Sequence, residues 1–155
     1  MKKKLSLKKV ILFFLISAII FLCLYILWGI YKAQNISVVP IEDINSISIS
    51  ADEVLSTETE ITGEVKVDRF EAVSHINVEK VDEVLYIIIH REPSFSSKGT
   101  FSINLNDVND VDSINIISII SGNIYTGEGV ERGYSLGDLK KIPDQKVIWE
   151  HPAAD

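Results

Sequence analysis

Cysteine is nearly absent from this chain of 155 residues; Cys23 is the only one. It lies inside an apolar run, so the residues after that run carry no thiol and no disulfide. A disulfide-stapled fold, a thiolate nucleophile and a cysteine metal site are excluded there. Acidic residues are missing before Glu42, although 22 follow from that point. Metal-binding histidine spacings are missing too. His75, His90 and His151 form neither H-x-x-x-H nor H-E-x-x-H, the patterns that bring two imidazoles to one ion. No G-x-S-x-G elbow occurs, and Ser118-Ile119-Ile120-Ser121-Gly122 does not supply one. Gly127-Glu128-Gly129 lacks the residues that complete a phosphate-binding loop. These gaps remove the common signatures of serine hydrolases, zinc proteases and nucleotide-binding enzymes.

Charge of either sign is also absent from Val10 to Tyr31. A helix of that length spans roughly 33 Å, against a hydrocarbon core of about 30 Å. Leu, Ile and Phe dominate the run, Trp28 and Tyr31 stand near its far end, and Lys32 closes it. Five lysines precede it: Lys2, Lys3, Lys4, Lys8 and Lys9. That excess keeps the N-terminal side in the cytoplasm and sends the remainder outside. A cleaved signal peptide is the main rival. Its apolar core is usually about 7 to 15 residues and ends in small residues. Here Tyr31 and Ala33 do not make an A-x-A site, and Phe21-Leu22-Cys23 lacks the small residues of a lipobox. The expectation is an uncleaved single-pass anchor in the cell membrane, with the bilayer itself as the partner of residues 10–31.

Beyond Lys32, nine basic residues face 22 acidic ones, a net charge of −13. Phosphate backbones would repel such a surface, so nucleic acid is not expected as a partner. Solubility accounts for most of this acidity; attraction to cations or to a basic protein surface is the functional reading. The lack of disulfides, with abundant Ile, Asn and Lys, reads as bacterial. The remaining length suits one domain with a modest core.

The pattern after the span is period two. Ile47 and Ile49 alternate with serines, and Ile61, Val65 and Val67 flank Gly63, Glu64 and Lys66. Val84 to His90 is a β-branched run suited to a central strand buried on both faces. Val81-Asp82-Glu83-Val84 joins it to Asn77–Val81 as a hairpin, without the usual Asn-Gly. A helix across Arg69 to Val84 competes with that reading. Phe101, Ile103 and Leu105 alternate, Ile114 to Ile120 is strand-like, and Ile124-Tyr125 adds a short strand. Gly127 to Gly133 reads as a loop, and Ser135 starts one helical turn through Lys141. Lys146 to Glu150 is a last strand, with Trp149 in the core closing the sheet. The expected organisation is a basic tail at 1–9, a transmembrane helix at 10–31 and a stalk at 32–45. A β-domain follows at 46–150 and a tail at 151–155. The expected fold class is mainly β: the helix followed by a small antiparallel β-sandwich or open barrel.

Few residues carry chemistry. Asp107, Asn109, Asp110 and Asp112 are the metal candidates, since their hard oxygens suit calcium. Turn formation explains the same residues, and the spacing fails the EF-hand loop. His90 reads as an edge histidine. Glu58, Glu60 and Glu64, or Asp82 and Glu83, could act as paired carboxylates only if folding sets them face to face. No cofactor is expected. The leading expectation is a non-enzymatic module that binds a membrane or envelope protein. A cation or small-ligand sensor built on the acidic turn and the glycine loop stands second, and an envelope hydrolase third.

Overall fold

The structure is a computed structural model that describes residues 7–51, 54–121 and 139–152. The chain divides into two compact units, Met1–Asn35 and Ile36–Asp155.

The first unit is helix α1, Leu7–Gln34. It buries none of its residues, and large apolar side chains are exposed all along it. By length and composition it can cross a membrane. It begins three residues before the apolar run and ends three after it. Lys8, Lys9 and Lys32 are good helix formers, so charge ends the hydropathy pattern without ending the helix. Lys32 lies in the last turn, at the negative end of the helix dipole. Asn35 closes that end by donating its side-chain amide to the Tyr31 carbonyl at 2.7 Å.

The second unit is sheet-rich and holds eight strands among the described residues. They are β1 (Ser37–Val38), β2 (Ile44–Ile49), β3 (Glu60–Val65), β4 (Glu71–Val81), β5 (Val84–Pro93), β6 (Thr100–Asn104), β7 (Ile116–Ile120) and β8 (Gln145–Glu150). One sheet contains β1, β4, β5, β7 and β8; the other runs β2-β3-β6.

Strand β5 is the centre of the first sheet. Antiparallel β4 covers one edge. The other edge is shared: β7 pairs with Val84 to Ile88, and β1 pairs with His90 and Arg91. Leu85, Ile87 and Ile89 enter a core that also takes Ile61, Val65, Phe101 and Ile103 from the second sheet. Tyr86 and Ile88 join Val38, Ile120 and Leu139 in a smaller core on the opposite face. With both faces covered, a continuous apolar run replaces alternation. The hairpin from β4 to β5 turns at Asp82-Glu83. Asp82 supplies the positive φ (54°) that such a tight turn needs, which Asp tolerates better than most residues.

Three expectations change, and one rival reading falls. First, the sheet is mixed, because β5 and β7 run parallel. After β5 the chain leaves for the other sheet as β6 and returns through two short 3-10 turns, so it re-enters in the same direction. Local alternation carries no information about that crossover. The strands do not close into a barrel. Second, Arg69 to Val84 holds no helix. A bulge in β4 between Val73 and Ile76 breaks the period-two pattern there. Third, the stretch read as a stalk is structured in its second half: β1 lies in it, and Val39 is buried. Fourth, His90 is not at an edge. It is fully buried, because β1 and β4 flank it on either side. The Ile124-Tyr125 strand and the Gly127–Gly133 loop lie outside the described residues, as does most of the turn begun at Ser135.

Arg91 ties the elements at one end of the first sheet. Its guanidinium lies 3.1 Å from Asp43, 3.7 Å from Glu71 and, through Nε, 3.3 Å from the Ser37 hydroxyl. The side chains in the two ion pairs are only partly exposed, so solvent screens them less than a surface pair.

Candidate functional site

The acidic turn spans two 3-10 turns, Leu105–Asp107 and Val111–Ser113. Leu105 and Val111 are buried and pin it to the core, while Asp107, Asn109, Asp110 and Asp112 are exposed. Asp110 takes a left-handed conformation (φ 51°). The cation found beside the turn belongs to the protein. Lys80 donates from Nζ to the Asp110 carbonyl at 3.2 Å and to the Ser113 hydroxyl at 2.6 Å. Among the described residues no three His, Cys, Asp or Glu side chains are arranged to hold a metal ion.

The other charged candidates are dispersed. Glu58, Glu60 and Glu64 are exposed, and Glu60 accepts a hydrogen bond from Ser102. Glu83 accepts from the Asn115 amide. Asp82 pairs with Lys140. That contact holds the Asp82 carboxyl below its ordinary range and the Lys140 ammonium above its own, first by hydrogen bonding and then by charge. None of these contacts sets one carboxylate against another.

The histidines meet instead. The β4 bulge contains Ser74 and His75, and it lays the His75 ring on the His90 ring. The centroids are 4.0 Å apart and the planes 9° from parallel. His75 is exposed and His90 is covered. Burial pushes the His90 pKa down to about 4, the charge of His75 adds to this, and hydrogen bonds with the backbone of His75 and Ile88 oppose it. The imidazole is therefore neutral near pH 7.

A groove of about 450 Å³ lies between β2 and β8. Each of these strands pairs on one side only among the described residues. Ile47, Ile49, Ala51, Ile148 and Trp149 line the groove and pack onto the larger core. Asn45, Ser46 and Lys146 add a polar rim. Both bordering strands are irregular at this place. The β2–β3 register shifts at Asn45, and the β7–β8 register shifts at Ile148. Bulges of this kind interrupt backbone pairing and re-aim side chains. On β8 the result is that successive residues, Ile148 and Trp149, both reach the core. The His151 ring meets the Trp149 indole edge-on at 6.0 Å. Trp149 thus packs onto the core, as expected, and also forms a wall of the groove. Nothing in the residue pattern signals the groove, because a bulge appears only in the register between strands.

No protein-family model, no curated protein and no solved structure matches this chain.

Proposed function

We propose that this protein is a single-pass, membrane-anchored binding module. The helix α1 holds it in the cell membrane with the N-terminus in the cytoplasm, and the two-sheet body acts outside as a distorted sandwich. Its partner is a membrane or envelope protein that lodges an apolar side chain in the groove between β2 and β8. The observation that supports this reading is the groove: a mostly polar lining in which Ile47, Ile49, Ile148 and Trp149 offer apolar contacts, between two interrupted strand edges. Recognition sites combine apolar contacts with placed polar groups, and this groove supplies both. The interrupted edges favour docking by side chains over addition of a strand. No constellation of nucleophile and base competes with this reading among the described residues.

Orientation is tested with a cysteine at exposed Asn109 in a Cys23→Ser chain. An impermeant maleimide is expected to label it on intact cells. Labelling only after lysis reverses the topology. Binding is tested with a photo-crosslinking residue at Val147, which is 54% exposed beside the groove. The same probe at Val54, 63% exposed and outside the groove lining, serves as control. In native membranes the Val147 probe is expected to give a defined protein adduct that Val54 does not. Trp149→Ala should weaken that adduct by about tenfold or more, as a buried aromatic anchor does. Equal adducts from both positions would remove the groove from consideration.

A further inference from the structure

Two phenylalanines stand exposed at one end of the body: Phe70 is 52% exposed and Phe95 is 80% exposed. They belong to different loops, β3–β4 and β5–β6. The loops are fastened together. Ser94 donates its backbone N–H to the Phe70 carbonyl at 2.8 Å, and the Ser97 hydroxyl donates to the Asp68 carbonyl at 3.3 Å. Phe70 also has a φ of 73°, the left-handed region that a bulky residue rarely enters. Strain of this kind persists where the surrounding structure imposes it, and it clusters at functional positions. Here it turns an aromatic ring outward rather than into the core. The Arg69 guanidinium lies 5.0 Å over that ring.

Charge is unevenly placed as well. Residues 66–70 and 94–99 carry Lys66, Arg69 and Lys98 against Asp68 alone, in a body whose net charge is −13. The other end of the β4–β5 hairpin carries Asp82 and Glu83, and Lys80 links it to the acidic turn at Asp110. Glu71 and Glu92 border the same loops, and Glu71 accepts from the Asp68 N–H, so this end carries both signs, with the Arg69 guanidinium set directly over the Phe70 ring.

Chain connectivity gives this end its partner. Ser37 of β1 registers opposite Arg91, four residues before Phe95. Ser37 is also three residues past Gln34, the last residue of α1. Three extended residues reach about 11 Å at most. The strand end that leads to both phenylalanines is therefore tethered within a short reach of wherever the helix ends. Exposed aromatic rings flanked by basic side chains suit the layer where lipid headgroups meet acyl chains.

We propose that Phe70 and Phe95, flanked by Lys66, Arg69 and Lys98, form a second membrane contact, seated in the headgroup layer of the bilayer that α1 crosses. This rests on the anchor reading above.

The test uses the full chain with Cys23→Ser, reconstituted in phosphatidylcholine vesicles containing some phosphatidylglycerol. An environment-sensitive dye is placed on Ser96→Cys beside Phe95, or on Asn109→Cys in the acidic turn. A lipid carrying a spin-label quencher near its headgroup reports proximity to the bilayer. Quenching at position 96 is expected to exceed that at 109 by roughly twofold or more. Adding Phe70→Ser and Phe95→Ser should bring position 96 down to the level of 109, with the 109 signal unchanged. Both rings are exposed, so this pair of changes leaves the core intact. Equal quenching at the two sites overturns the contact while the anchor stands. Quenching that survives the double substitution also overturns it, since other groups then make the contact. A blue-shifted dye that the lipid quencher does not reach indicates a protein over these loops and overturns it too. Extraction of the chain from the vesicles by alkaline carbonate overturns the anchor, and the inference with it.

Discussion

Replacing Gly99 with alanine is expected to destabilise the body by about 3 kcal/mol, a shift of roughly 2 M in the urea midpoint. The reason is a close approach of backbones. A Cβ built at Gly99 would lie 2.1 Å from the Val65 carbonyl oxygen and 3.3 Å from the Val65 carbonyl carbon. Neither atom is the far end of a flexible side chain, so the strand itself must move. That movement acts on both sheets. The Gly99 carbonyl accepts from the Val65 N–H at 2.9 Å, and the adjacent Lys98 carbonyl accepts from the Val73 N–H at 2.9 Å. Residues 98 and 99 therefore join β3 of one sheet to β4 of the other. Lys98→Ala is the control, since the exposed side chain can be removed without touching either bond. It should stay within about 0.5 kcal/mol of the parent. A Gly99→Ala chain as stable as that control would show that the backbones can separate freely at this point.

This joint also marks the limit of what sequence pattern conveys. Strand identity was largely legible. The β5 run from Val84 was recognisable from its β-branched content, and Phe101-Ser102-Ile103 from strict alternation, because burial acts residue by residue on one strand. The Asp82-Glu83 turn was readable because two apolar runs sit tightly against it. Strand direction was not legible. Whether β7 lies parallel to β5 depends on the path through β6 in another sheet, and no local pattern encodes it. The bulges were equally hidden. The extra residues around Ser74, Asn45 and Ile148 show themselves only against a partner strand. They have the largest effect on the candidate sites, since they build the groove and bring His75 onto His90. The burial of His90 is hidden for a related reason. Polarity and position at the end of an apolar run suggested an edge, whereas β1, drawn from the presumed stalk, covers it. The acidic turn was located correctly as a turn, but the lysine that fills it comes from 30 residues upstream.

Acid is expected to weaken the body through His90 in a defined window. The folded pKa, about 4, lies below the ordinary value of 6.5. Between those values the unfolded chain binds a proton that the folded chain refuses. The stabilisation is complete above pH 6.5 and is lost as pH falls from there toward 4. The shift corresponds to about 3 kcal/mol over the window. The physical cause is the fully buried ring, for which protonation places a charge in an apolar site beside His75. The carboxylates of the body also titrate toward acid pH, so a fall in stability alone does not identify His90. His90→Phe separates the two. It preserves a flat ring for the stack at 4.0 Å and cannot take up a proton. It also gives up the hydrogen bonds with the backbone, so the variant should start from a lower stability at pH 7. The diagnostic quantity is the slope. Urea midpoints measured from pH 7 to pH 4 should fall less steeply in the variant, by an amount on the order of 1–3 kcal/mol in stability. Parallel curves for the two chains would mean that His90 takes up its proton as readily in the folded body as in the unfolded chain, and that the carboxylates alone govern the acid stability.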